Sequence, residues 1–335
     1  MAKAPPEMLV IAKVYDLVLW SCHHTAKFPR SHRFTLGDRL EPLFEPSFIF
    51  DSYASRPGKG THAAVDRFTE FARRHRFVLK CDIQKFFPSI DHQILQALVA
   101  RRVKDRDVIW LVGRIVKSWM TGAADEWFPG DDLLTPLGRL KGLPIGNQTS
   151  QFFANVYLNP FDHFVKETLR ARSYCRYVDD FVIFDNDKQR LSEVRELCAE
   201  HLAGLRLRLH PRKCVVSRVQ DGTPFLGFRV FPTHRLLGRA NARRMRRRLR
   251  RLQAEYAAGA IGGTDVRRRL VGWIGHAGHA DTFRLRTRLF SETTFSRRAS
   301  SSSREPVERP SGAGRVLEQQ FEERPVGLPQ QQPPR

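Results

Sequence analysis

The stretch RYVDDFVIF (176–184) sets two aspartates, Asp179 and Asp180, between the apolar runs Tyr174–Val178 and Phe181–Phe184. Short aromatic and β-branched runs on either side of an acidic pair predict a hairpin with the carboxylates at its tip. Upstream, Phe77-Val78-Leu79-Lys80-Cys81-Asp82-Ile83 is a second β-type run ending in a carboxylate. Each piece has an ordinary reading: the acidic pair as a solvated turn, and Asp82 as the cap of the next helix. If the two strands are neighbours, carboxylates from separate strand ends converge. Such a platform of hard oxygens suits magnesium and is more rigid than a loop.

Outward from that core, the charge balance narrows the partners. The 335 residues carry 57 Lys and Arg against 35 Asp and Glu, a net charge of +22. A surplus of that size is an electrostatic footprint for a polyanion, nucleic acid first, with a membrane surface or simple solubility as the other readings. No apolar run approaches the roughly 18 residues that span a bilayer, which predicts no membrane partner. The five cysteines are scattered without a C-x-x-C pair. A disulfide framework or zinc ribbon is therefore not expected, and the default compartment is a reducing cytoplasm. His276 and His279 lie three apart without a completing ligand, and read as capping and packing groups.

The rest of the chain supplies helices. An apolar stripe from Met8 to Trp20 predicts a first helix, a break follows at Phe28-Pro29-Arg30, and a second helix starts near Thr35. A basic Gly/Pro loop at 55–62 leads into an amphipathic helix through Phe71. Helices are expected at about 90–102 and 106–119, then a loop from Thr121 to Gly142. One long helix is expected from Asn147 to Arg170, with a kink or break at Pro160. A helix at about 187–203 and strands near 213–219 and 224–231 follow. From Gly222 through Ala254 no acidic residue occurs, and Met245, Leu249, Leu252 and Tyr256 fall at helical spacing among arginines. Helices near 264–274 and 279–290 precede a Ser- and Gln/Pro-rich tail, expected to be disordered from Ser291.

Five strings occur in the order of the palm motifs of reverse transcriptases: CDIQKFFPSIDH (81–92), GLPIGNQTSQFFANVYLN (142–159), RYVDDFVIF, LHPRKCVV (209–216) and FLGF (225–228). From about Ser47 to Phe290 the chain resembles that family. Within it, the sequence looks most like the enzymes of diversity-generating retroelements, on Ile145-Gly146 with Ser150-Gln151, SYASRPGKGTHAA (52–64) and WIGHAGHADTFRLR (273–286).

The resemblance implies an α+β right-hand polymerase with a ferredoxin-like palm, truncated fingers and a helical thumb. It implies RNA-directed DNA synthesis with two Mg²⁺ ions, Mn²⁺ being a substitute, held by Asp82, Asp179 and Asp180 with Ile83 beside them. Lys213 matches the lysine that assists the pyrophosphate leaving group. Phe87 matches the aromatic gate against a ribose 2′-hydroxyl, with ordinary core packing as its other reading; Ile145, Gly146 and Gln151 complete the dNTP site. Arg56, Lys59, Phe225, Gly227, Arg243, Arg244 and Arg247 are implied contacts to nucleic acid. The implied partners are template RNA, a DNA primer, dNTPs and a basic four-helix-bundle accessory protein.

The front of the chain departs from the family. Family members carry a longer fingers region ahead of SYASRPGKG, whereas residues 15–41 here resemble the first helices of that accessory bundle. A functional fusion and a deletion or assembly product both fit. The expected domains are a helical accessory-like fragment (1–44), a fingers remnant and palm (45–235), a helical thumb (236–290) and a tail (291–335). A reverse transcriptase of another bacterial lineage (defence or intron-derived) and a non-catalytic nucleic-acid-binding product are the competing readings.

Overall fold

The structure is a computed structural model that describes residues 35–117, 126–132, 134–144 and 148–297. The expected Met8–Trp20 helix, most of the accessory-like stretch, Ile145, Gly146 and nearly all of the expected tail lie outside the described residues. The chain divides into two compact units, Met1–Leu236 and Leu237–Arg335.

In the first unit, α1 (Thr35–Phe44) starts where the sequence places its second helix. α2 (Thr61–Arg74) buries Ala64, Val65, Phe68, Phe71 and Ala72, an apolar stripe at helical spacing. β1 (Phe77–Asp82) follows, then a single helical turn at Phe86–Ser89. α3 (His92–Ala100) is capped by Asp91, whose carboxylate accepts from the Gln93 and Ile94 N–H groups. After α4 (Arg106–Lys117), the described part of the expected loop contains one helical turn, Thr135–Gly138.

Of the kink or break expected at Pro160, the break does not occur: α5 (Gln148–His163) runs through Pro160 and only afterwards, at Phe164–Thr168, widens to a π-helical turn. A proline inside a helix removes one i→i−4 bond and crowds the preceding turn. Here Phe153, Val156, Tyr157, Phe161 and Val165 are all buried in the core, and that packing carries the helix past the local cost.

β2 (Tyr174–Tyr177), β3 (Asp180–Asp185), α6 (Lys188–Gly204) and β4 (Val215–Arg218) complete the main sheet. Its strand order is β2-β3-β1-β4, and every pair is antiparallel. With helices between β1 and β2 and between β3 and β4, this is the βαββαβ arrangement of a ferredoxin-like palm. Because side chains alternate across a strand, Leu79, Cys81, Phe181 and Ile183 share one face. They are buried in one core with Phe153, Tyr157 and Phe161 of α5 and Leu191, Cys198 and Leu202 of α6. Val78, Lys80, Asp82, Asp180, Val182 and Phe184 take the other face. There α2 covers the Phe184 end, Phe68 lying 4.8 Å from Phe184 between ring centroids, while the carboxylate end stays half-buried.

The single strand expected at 224–231 is instead a hairpin of β5 (Thr223–Phe225) and β6 (Phe228–Val230). Leu226 and Gly227 both have positive φ, 47° and 88°, the backbone that lets two residues reverse antiparallel strands. β7 (Arg235–Leu237) adds a third strand to this small sheet.

The second unit holds α7 (Arg239–Ala257), α8 (Gly263–Gly278) and α9 (Phe283–Ser291). Its core is Met245, Leu249, Leu252, Val266, Leu270 and Leu289. The three α7 members are those whose spacing marks the helix in the sequence. Among the described residues no helix is long and apolar enough to cross a membrane.

Candidate active site

Strand register builds the site. β1 and β3 pair Cys81 with Phe181 and then, as the last pair, Asp82 with Asp180. Just beyond, the Ile83 N–H donates to the Asp179 carbonyl at 3.2 Å. The link from β2 to β3 passes through Val178, at φ 56°. Residues far apart in sequence therefore bring Asp82, Asp179 and Asp180 to one end of one sheet, on two adjacent strands.

Two lysines answer this charge. Lys80, two residues before Asp82 and on its face, lies diagonally across from Asp180: its Nζ is 2.8 Å from Oδ1 and donates to Oδ2 at 3.1 Å. Lys213 comes from the turn before β4 and donates to both Asp82 oxygens, at 3.1 and 3.0 Å. Even so, Asp179 and Asp180 are held above the ordinary carboxylate range. Burial raises Asp179, with the Asp82 charge adding to it. Burial also lifts Asp180 to about 6; Lys80 pulls it down, and Asp82 and Asp179 push it further up. Burial thus outweighs the ion pair at Asp180. The Lys213 ammonium is raised by its bond to Asp82.

Among the described residues, no three His, Cys, Asp or Glu side chains form a ready metal cage; the two lysine ammoniums sit on the carboxylates instead. The donor set nonetheless fits a hard divalent cation. Asp180 Oδ1 is buried, and despite its closeness to Lys80 it accepts no well-aligned hydrogen bond. Asp179 and Asp180, disfavoured as anions by burial and by the neighbouring carboxylates, are relieved by a cation shared with Asp82.

The other expected residues divide. Phe87 is half-buried, its ring 5.4 Å from that of buried Phe86. Its carbonyl accepts from the Leu143 N–H at 2.9 Å. Gln151 is half-buried in the first turns of α5. The Ile83 side chain is apolar and buried, so only its backbone oxygen is open to a cation.

Arg56, expected to contact nucleic acid, is engaged within the chain. Its side chain is 5% exposed, pairs with Glu45 at 2.7 Å, and donates to the Ile49 and Ser52 carbonyls. Lys59 is engaged as well, its Nζ 3.3 Å from the centre of the exposed Phe50 ring; burial, then Arg56, lowers its pKa. Phe225 is fully buried, its ring 5.1 Å from that of Phe68, whereas Gly227 is exposed at the hairpin tip. In the second unit Arg243, Arg244 and Arg247 are all exposed on α7.

Two contributors are not singled out by sequence reasoning. Lys80 has a signal: it shares parity with Asp82, so strand alternation alone puts both on one face. Arg176 has none, because its partner Asp162 lies on α5.

A family model described as "Reverse transcriptase (RNA-dependent DNA polymerase)" matches residues 34–230. Among curated proteins, "Protein YkfC" of Escherichia coli K12 is 29% identical over 234 residues, 57% of this chain and 58% of that one. The "Group II intron-encoded protein LtrA" of Lactococcus lactis subsp. cremoris is 26% identical over 178 residues, 52% of this chain and 28% of that one. The chain thus spans between about a quarter and three fifths of these relatives. Among solved structures, apo telomerase from Candida tropicalis, truncated from its C-terminal domain, aligns at a TM-score of 0.47 and 13% identity, over 70% of this chain and 49% of that one.

Proposed function

Because the chain belongs to the reverse transcriptase family, matched over residues 34–230, we propose that it is an RNA-directed DNA polymerase whose Asp82, Asp179 and Asp180 hold two Mg²⁺ ions. The observation that carries this reading is the register that ends on Asp82 opposite Asp180, with Asp179 bonded to Ile83. When bound, such cations make a primer 3′-hydroxyl nucleophilic and neutralise the charge that develops on the triphosphate.

The chain's own groups supply the rest. Asp82 and Asp179 are the principal ligands; Asp180, held by Lys80, contributes less directly. Lys213 is more than half exposed on a flexible stem. From there its ammonium can turn to the leaving pyrophosphate and give it charge or a proton. Phe87 presents a ring where an added 2′-hydroxyl clashes, which selects dNTPs sterically. The exposed arginines of α7 grip the template RNA and DNA primer through phosphates.

At finer grain, Ile145-Gly146, Ser150-Gln151 and WIGHAGHADTFRLR favour a diversity-generating retroelement. Residues 15–41 favour a basic four-helix-bundle partner. The group II intron-encoded relative favours a second reading, an intron-derived lineage. Paired variable and template repeats in the neighbouring DNA distinguish them: their presence supports the first, their absence the second.

The test of polymerase function is extension of oligo(dT) on poly(rA) with Mg²⁺. Extension by the wild type and none by Asp179→Ala is expected. Equal inactivity of both would leave a nucleic-acid-binding scaffold.

A further inference from the structure

Beneath the acidic hairpin lies a buried guanidinium with every donor used. Arg176, on β2, has no solvent exposure, and neither has its partner Asp162. Nε donates to Asp162 Oδ1 at 2.7 Å, and Nη2 to Asp162 Oδ2 at 2.6 Å and to Ser52 Oγ at 3.0 Å. Nη1 donates to Asn155 Oδ1 at 3.3 Å and to the Val178 carbonyl at 3.0 Å. An arginine offers five N–H groups in a fixed fork, and all five are matched here. Asn155 and Asp162 lie seven residues apart on α5, two turns along the same face, so the fork is braced against a helix.

The bond to Val178 differs from the others in what it controls. Val178 is β-branched, yet it sits at φ 56°, a conformation strained for such a residue that must be held by its surroundings. Its carbonyl belongs to the same planar peptide unit as the Asp179 N–H. Fixing that oxygen fixes the plane from which the Asp179 Cα and side chain depart. The next plane is fixed too, by the Ile83 N–H on the Asp179 carbonyl. Asp179 is thus gripped on both sides, once by Ile83 just beyond β1 and once by Arg176.

We infer that Arg176 is a positioning residue for the metal-binding aspartate: through the Val178 carbonyl it locks the strained turn in the orientation that presents Asp179 to the cations. Asp162, Asn155 and Ser52 hold the guanidinium in place for that task. This rests on the polymerase reading above, and the experiment separates the two.

Arg176→Lys keeps a charge opposite Asp162 but cannot match the fork. The pair Arg176→Gln with Asp162→Asn keeps a neutral hydrogen-bonded contact and removes both buried charges. In each variant a folded protein with unchanged affinity for a template–primer duplex is expected. kcat for primer extension should fall by about a hundredfold, as for an ångström-scale misplacement, with the KM for dTTP unchanged. Mn²⁺ affinity, read by electron paramagnetic resonance on protein free of nucleic acid and dNTP, should fall by about tenfold, as when a group supporting a metal ligand is lost. Wild-type kcat and wild-type Mn²⁺ affinity in either folded variant would overturn the inference. Loss of cooperative unfolding in both would also overturn it, by making Arg176 a folding residue. If the wild type extends no primer and Asp179→Ala matches it, the polymerase reading falls, while the Mn²⁺ titration still decides whether Arg176 orients Asp179.

Discussion

Asp82 and Asp180 face each other as the terminal pair of the β1–β3 ladder, and each leans on a lysine, Asp180 on Lys80 within β1 and Asp82 on Lys213 in the turn before β4. The two supports are unequal. The Lys213 side chain is 54% exposed and the Lys80 side chain 19%. Solvent-exposed ion pairs contribute about 0–1 kcal/mol, whereas removing one partner of a buried pair strands the other charge at a cost of up to about 3–5 kcal/mol.

Lys80→Met should therefore destabilise the metal-free protein at neutral pH by about 1–3 kcal/mol, between those limits. Lys213→Met should change stability by less than about 1 kcal/mol. Urea unfolding in EDTA reads both. Equal losses would mean that Asp180 draws no particular support from Lys80.

The Asp180 carboxyl gives stability a pH dependence of definite sign. Its folded value of about 6 lies above its ordinary 3.8, so the folded chain binds this proton more tightly than the unfolded chain. The corresponding stabilisation is complete below the ordinary value and is lost as pH rises through about 6. At 1.36 kcal/mol per unit, the loss is on the order of 2–3 kcal/mol. In EDTA, the stability of wild type relative to Asp180→Asn should fall between acid and neutral pH. A flat difference would show that burial does not hold Asp180 protonated.

A divalent cation should reverse that loss. At about a hundredfold over its dissociation constant, Mg²⁺ or Mn²⁺ should raise the unfolding free energy by about 2.7 kcal/mol at neutral pH. The gain should shrink below pH 6, where protons compete for the raised carboxyls. It should vanish in Asp82→Ala and Asp179→Ala. An undiminished gain in those variants would place the ion elsewhere.

How much of this is legible in the sequence depends on whether the signal is local. Asp82 and Asp179-Asp180 stand at the ends of apolar runs, and alternation marks their strands. The register that sets Asp82 against Asp180 is a pairing between distant segments, which no local pattern encodes. Arg56 looks like a free loop cation because its neighbours are Gly, Pro and Lys; its true partners, Glu45 and two carbonyls, meet it only once the chain folds back. FLGF passes for one strand because Leu226-Gly227 lacks the Asn-Gly or Asp-Gly signature of a two-residue turn. Gly227 supplies one positive φ freely, and Leu226 accepts the other through context.

Phe87→Ala should raise incorporation of UTP relative to dTTP on poly(rA). The half-buried ring packs on Phe86, so some loss of stability is expected alongside, and the ratio of kcat/KM values is the measure that separates the two. Unchanged sugar selectivity would return Phe87 to the core.

The strongest electrostatic expectation concerns α7. Its buried line is Met245, Leu249 and Leu252, which leaves Arg243, Arg244, Arg246, Arg247, Arg248 and Arg250 exposed. Among the described residues these six make no ion pair, whereas Arg251 is paired with Glu255. Arg244, Arg247, Arg248 and Arg251, with Asn241 and Trp273, also line an open cavity of about 590 Å³. Each phosphate neutralised by such a cation releases counterions, so log affinity falls with log salt by about 0.7 per contact for single strands and about 0.9 for duplex DNA. Replacing Arg243, Arg244 and Arg247 by Gln should flatten the slope by up to about 2–3, if each meets a phosphate. Arg268→Gln, in the same unit but paired with Asp265, should leave it nearly unchanged. Because the three exposed cations lack acidic neighbours to screen them, an equal slope in all three proteins would mean that this face of α7 meets only water.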